Sequence, residues 1–139
     1  MPFELLDHTA DVGLRARATS LGEAFEQAAL GLTALMVDPG AVRPKERIEI
    51  HFEAADLDRL LVQWLSRLLA ERDLSGRVFG RTNVKIDPDE PTHLSAELWG
   101  EPLDRSRHET RLEVKGVSYL GLNVERTSDG WTIECVLDV

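Results

Sequence analysis

Apolar residues recur along this chain in two rhythms. Two segments repeat every three or four positions, the period of an amphipathic helix. In the first, Leu21, Ala24, Phe25, Ala28, Ala29, Leu32, Leu35 and Met36 fall on one face. Ser20 and Glu23 precede that face as a Ser-x-x-Glu capping box, and Asp38-Pro39-Gly40 ends the run. In the second, Leu57, Leu60, Leu61, Trp64, Leu65, Leu68 and Leu69 follow Asp56, a good N-cap, and Ser75-Gly76 breaks the pattern. This Leu and Trp stripe reads as core, not as a cofactor box.

Elsewhere the rhythm is two, the period of strands. Phe3 to Leu6 is a short first strand, and Val12 to Ala18 a second. Glu46 to Glu53 alternates Ile48, Ile50 and Phe52 with polar neighbours. Val78 to Ile86 is another strand, Pro88 to Pro91 a turn, and Leu94, Ala96 and Leu98 mark the next strand. Leu112 to Tyr119 and Leu122 to Arg126 follow, separated near Gly121. Ser128-Asp129-Gly130 predicts a hairpin turn, and Trp131 to Val139 is the last strand. Two helices among several strands, with little βαβ alternation, predict an α+β fold. The expected form is a single compact domain over residues 1–139, with mostly antiparallel sheet.

Composition narrows the function. A chain of 139 residues with 42% apolar content can bury a real core. The single cysteine, Cys135, excludes an internal disulfide and Cys-based zinc clusters, and its parity with Trp131, Ile133 and Leu137 makes it a core residue. No signal peptide or membrane-length apolar run is visible, so a cytoplasmic location is expected and no membrane partner. The net charge of -9, with basic residues scattered, argues against direct nucleic-acid binding. It suits cations or a basic protein partner. Phosphate-loop, dinucleotide, zinc-protease and nucleophile-elbow motifs are all absent.

Two polar clusters remain. Asp7, His8, Thr9 and Asp11 crowd four polar side chains into five residues between apolar strands. They form either a turn bonded to its own backbone or a functional site. The chain ends Leu137-Asp138-Val139, and Asp138 points away from the core set. If the last strand ends near Asp11, then Asp11, Asp138 and the terminal carboxylate of Val139 converge. Oxygen-only ligands of that kind suit a divalent cation: Ca²⁺, Mg²⁺ or Mn²⁺. The second cluster, Asp104 to Glu109, is an exposed loop or a docking or metal-adjacent loop that contributes His108 and Glu109.

At these residues the sequence resembles the archease family. The carriers are Phe3 to Leu14, with Asp7-His8-Thr9-Ala10-Asp11 at their centre, and Leu21 to Ala29. They continue through Leu61 to Leu65, Gly100-Glu101-Pro102, Arg107-His108-Glu109, Glu113 to Tyr119 and the terminal Leu137-Asp138-Val139. The resemblance runs the length of the chain. It implies a small α+β domain that assists the GTP-dependent RNA-splicing ligase in tRNA splicing and RNA repair. Such a protein promotes guanylylation and turnover of its partner, and is an activator rather than an enzyme with catalytic residues of its own. The resemblance maps a metal site onto Asp11, Asp138 and Val139, with calcium the ion expected in a crystal. Asp7, His8 and Thr9 then orient and form the turn. One departure stands out: Leu120 follows Tyr119 where the family commonly has histidine, so that histidine's role is not carried over. Ser118 and Gly116 replace the more usual Thr and Ala. The rival readings are a metal-dependent hydrolase using Asp7, His8 and Asp11 as an acid–base centre, and a general chaperone-like cation-binding module.

Overall fold

The computed structural model describes residues 2–7, 11–89 and 92–139. Strands β1 (Phe3–Asp7), β2 (Asp11–Ala18), β6 (Gly116–Thr127) and β7 (Gly130–Asp138) make one antiparallel sheet, in the order β1-β2-β7-β6. Strands β3 (Glu46–Ala54), β4 (Arg77–Asp87) and β5 (Thr92–Pro102) make a second, in the order β3-β5-β4. Helices α1 (Leu21–Met36) and α2 (Leu57–Ser75) each touch both sheets. Side chains of both sheets and of both helices share one hydrophobic core. The fold is α+β, with two sheets where the sequence predicts mostly antiparallel sheet.

Local chemistry sets the helix ends. The Ser20 hydroxyl accepts the Glu23 N–H at 3.2 Å, while the Glu23 carboxylate takes the Thr19 hydroxyl instead of completing the box. Asp56 accepts the Arg59 N–H at 2.9 Å, and Gly76 ends α2 in the left-handed region at φ 72°. The predicted stripes are the buried faces: Phe25, Ala28, Leu32, Leu60, Trp64 and Leu65 are fully enclosed. Trp64 donates its indole N–H to the Phe25 carbonyl at 2.9 Å, so the bulkiest core side chain also fixes α2 against α1. Cys135 belongs to this core, and burial pushes its thiol up to about 12.

The structure corrects one element. Leu112 to Tyr119 and Leu122 to Arg126 are not separate strands. One strand, β6, begins at Gly116 and carries a register shift between Ser118 and Asn123. Residues 112–115 stay outside it because their backbone is engaged elsewhere. Arg111 and Leu112 donate N–H groups to the Met36 and Leu35 carbonyls at 2.8 and 2.9 Å, closing the open end of α1. The expected turn at Pro88 to Pro91 lies partly outside the described residues. No helix among the described residues is long and apolar enough to cross a membrane.

Candidate functional site

Strand β7 runs antiparallel to β2, and the register sets Asp138 directly opposite Asp11. Ile133, Cys135 and Leu137 are buried, so the alternate positions Glu134, Val136 and Asp138 project from the outer face. Directly opposed residues on one face have Cβ atoms roughly 5 Å apart, and like charges there repel. Asp138 is exposed and Asp11 half-buried. Among the described residues, neither carboxylate has a Lys, Arg or His within ion-pair distance.

The flanks of this pair are backbone. On β6, Gly116 stands opposite Asp138, and a Cβ there would lie 3.8 Å from Asp138 Oδ2. The Lys115 N–H donates to the Asp138 carbonyl at 2.8 Å. Among the described residues no three His, Cys, Asp or Glu side chains gather as a metal site requires. A cation held here therefore needs oxygen ligands besides Asp11 and Asp138. Asp7 closes β1 opposite Val12. His8 and Thr9, with the Asp7 side chain, lie outside the described residues, so of the acid–base centre read from Asp7, His8 and Asp11 only Asp11 is described.

The Asp104 to Glu109 segment is an exposed loop at Asp104, Arg105, Ser106 and Glu109, one of the two readings of the sequence, but His108 is not part of that surface. His108 is only 1% exposed and both ring nitrogens are occupied. Nδ1 accepts the Asp104 N–H at 2.9 Å, which leaves Nε2 to donate to Glu101 Oε2 at 3.0 Å. His108 is therefore neither a docking residue nor a ligand beside a metal, while Glu109 stays in solvent. The partner that sequence reasoning misses is Glu101, 2% exposed, which also accepts the Arg43 N–H at 2.6 Å and pairs with Arg107. Burial alone would raise the Glu101 carboxyl. The bonds from Arg107, the Arg43 N–H and His108 outweigh it and hold the group at about 2. This is a lock that fixes the long connection between β5 and β6.

The sequence model of the Archease protein family matches residues 3–139. The chain belongs to the archease family. A protein archease from Thermococcus gammatolerans is 41% identical over 139 residues, covering 99% of this chain and 98% of the relative. One from Sulfurisphaera tokodaii is 36% identical over 137 residues, covering 99% and 98%. The solution structure of Methanobacterium thermoautotrophicum protein 1598 matches this archease-family fold with a TM-score of 0.84 at 31% identity, covering 99% of each chain. A crystal structure of an archease from Thermotoga maritima, described as a possible chaperone, matches at 0.64 and 17% identity, covering 96% of this chain and 94% of that one. It supports the fold alone.

Proposed function

We propose that this chain is an accessory activator of a GTP-dependent RNA-splicing ligase in tRNA splicing and RNA repair, working in the cytoplasm. Its acidic end, in this reading, holds a divalent cation. The observation that carries the reading is the opposition of Asp11 and Asp138 across β2 and β7. Two carboxylates facing each other on a solvent-facing strand end repel unless protons or a cation neutralise them. The donor chemistry fits: Asp11, Asp138 and the terminal carboxylate of Val139 offer oxygen only. That set suits Ca²⁺, with Mg²⁺ or Mn²⁺ as alternatives.

A bound divalent ion supplies concentrated positive charge beside phosphate oxygens. The chain's own part is positional. Asp11 and Asp138 are held by adjacent strands of one sheet, so their separation is fixed before any partner arrives. Guanylylation joins a ligase nucleophile to the α-phosphorus of GTP and releases pyrophosphate. Such transfers depend on alignment and charge neutralisation, which an accessory surface can improve without a catalytic residue of its own. A net charge of -9 leaves RNA to the ligase. Among the described residues nothing favours the hydrolase alternative.

The test follows labelled guanylate transfer from GTP to the same organism's ligase. Wild type should stimulate transfer, and Asp11→Ala and Asp138→Ala should stimulate far less. Equal stimulation by all three sinks the role of the acidic end. No stimulation by the wild type sinks the activator reading.

A further inference from the structure

Strand β6 lies at the edge of its sheet, and its register is broken in the middle. Ser118 faces Val136 and Asn123 faces Glu134, so residues 118 to 123 of β6 are matched to only 136 to 134 of β7. The surplus chain arches out as a bulge. The Ser118 hydroxyl accepts the Leu120 N–H at 3.0 Å, and Gly121 turns the chain with φ 76°. Gly121 lies over the outer face, because a Cβ there would be 3.2 Å from Val136 Cγ2. Val136 projects on the same side as Asp138, two positions along the strand.

The tip of this bulge is apolar. Tyr119 is 68% exposed and Leu120 81% exposed, and they are adjacent in sequence. A bulge by itself protects an edge strand from pairing with other chains, and that task does not call for an exposed tyrosine and leucine at its tip. An aromatic and an aliphatic side chain lifted into water beside a charged patch form the anchor-and-rim composition of a protein interface. The rim here is acidic: Asp11 and Asp138 lie together at the end of the same face. A nucleic acid is repelled by that rim.

We infer that the Tyr119–Leu120 bulge is the hydrophobic anchor that docks this chain onto its partner protein. The matching partner surface is an apolar pocket bordered by basic side chains. This rests on the proposed function above: the occupant is the ligase, and the bulge delivers Asp11 and Asp138 to it. Docking and stimulation are then separable properties of two neighbouring groups.

The experiment titrates ligase guanylylation, and direct ligase binding by fluorescence anisotropy, with full-length wild type, Leu120→Asp, Tyr119→Ala and Asp11→Ala. Leu120 is 81% exposed, so its variant should keep the wild-type melting temperature. Leu120→Asp should raise the half-saturating concentration at least tenfold and reach the wild-type plateau when in excess, with Tyr119→Ala shifting in the same direction. Asp11→Ala should lower the plateau with little shift in half-saturation. An unchanged half-saturation for both bulge variants overturns the inference and leaves the activator reading standing. Binding that depends on Leu120 without any stimulation by the wild type does the reverse. If the wild type instead self-associates and Leu120→Asp makes it monomeric without weakening ligase binding, the bulge is a contact between copies and the inference fails.

Discussion

Replacing Glu101 by Gln should destabilise the fold in a way that depends on pH. Glu101 is 2% exposed, and its oxygens meet the Arg43 N–H at 2.6 Å, His108 Nε2 at 3.0 Å and the Arg107 guanidinium. Holding this carboxyl at about 2 instead of 4.5 corresponds to roughly 3 kcal/mol, at about 1.4 kcal/mol per tenfold change in acidity. The Arg107 side chain is 28% exposed, so solvent screening trims this to about 2 kcal/mol. Gln keeps the shape and can still accept the Arg43 N–H, so the loss is mainly the charged part of the network. For a domain of this length, 2 kcal/mol lowers the melting temperature by roughly 7 °C. The sign follows from a folded value below the unfolded one. The contribution is complete above about pH 4.5 and disappears as pH falls through about 2. Thermal melts of wild type and Glu101→Gln between pH 7 and pH 2.5 read this directly. The gap should be widest at neutral pH and narrow steadily in acid. A gap under about 2 °C at pH 7, or one that does not change with pH, refutes the reasoning.

Three further predictions use other parts of the molecule. Asp138→Asn removes one of two opposed carboxylates, so with EDTA present it should melt slightly above wild type, by about 0.5 kcal/mol. Calcium at about a hundred times its dissociation constant should raise wild type by about 2.7 kcal/mol and leave Asp138→Asn unmoved, whereas a wild-type melt indifferent to calcium, magnesium and manganese removes the cation site. Gly100→Ala would place a Cβ 1.9 Å from the Val78 carbonyl oxygen, a backbone atom that cannot step aside. It should cost about 3 kcal/mol or more, seen as a melting temperature lower by roughly 10 °C or as loss of soluble protein. Cys135 is buried with its thiol pushed up to about 12, so iodoacetamide at pH 8 should leave the native chain unmodified and label it fully in guanidinium, as read by mass spectrometry.

How much of this was legible in the sequence depends on how local each feature is. The two helices were readable because their caps and stripes act within a few residues, and Ser20, Asp56 and Gly76 stand where the pattern places them. The alternation of β7 made the outward direction of Asp138 legible. The register that sets it opposite Asp11 was not, because strand pairing across more than a hundred positions leaves no trace in either segment alone. Residues 112–115 alternate like a strand, yet Arg111 and Leu112 spend their N–H groups on the end of α1. Glu101 was invisible for the same reason. It continues the outward parity of Glu97 and Trp99, and only the returning loop with Arg107 and His108 covers it.

That loop ties the stability of the fold to the acidic end. It leaves β5 at Pro102, is pinned by Glu101 to His108 and Arg107, and then closes α1 through Arg111 and Leu112. The Arg72 guanidinium holds the Val114 carbonyl at 2.7 Å, and the loop ends where the Lys115 N–H meets the Asp138 carbonyl. A connection this long without regular structure is usually mobile. Here fixed bonds recur along it, and the last of them sets the strand that carries Asp138. Two carboxylates that repel each other stay opposed only if the surrounding backbone does not yield. The β2–β7 pairing holds them, and the loop's bonds run from Glu101 through α1 to the Lys115 N–H on the Asp138 carbonyl. The Glu101→Gln variant should therefore weaken cation binding at Asp11 and Asp138 as well as the fold, although Glu101 touches neither residue. Calcium titration of the variant well below its melting temperature separates the two effects. A wild-type calcium affinity in the folded variant would show that β2 and β7 hold the pair without the loop.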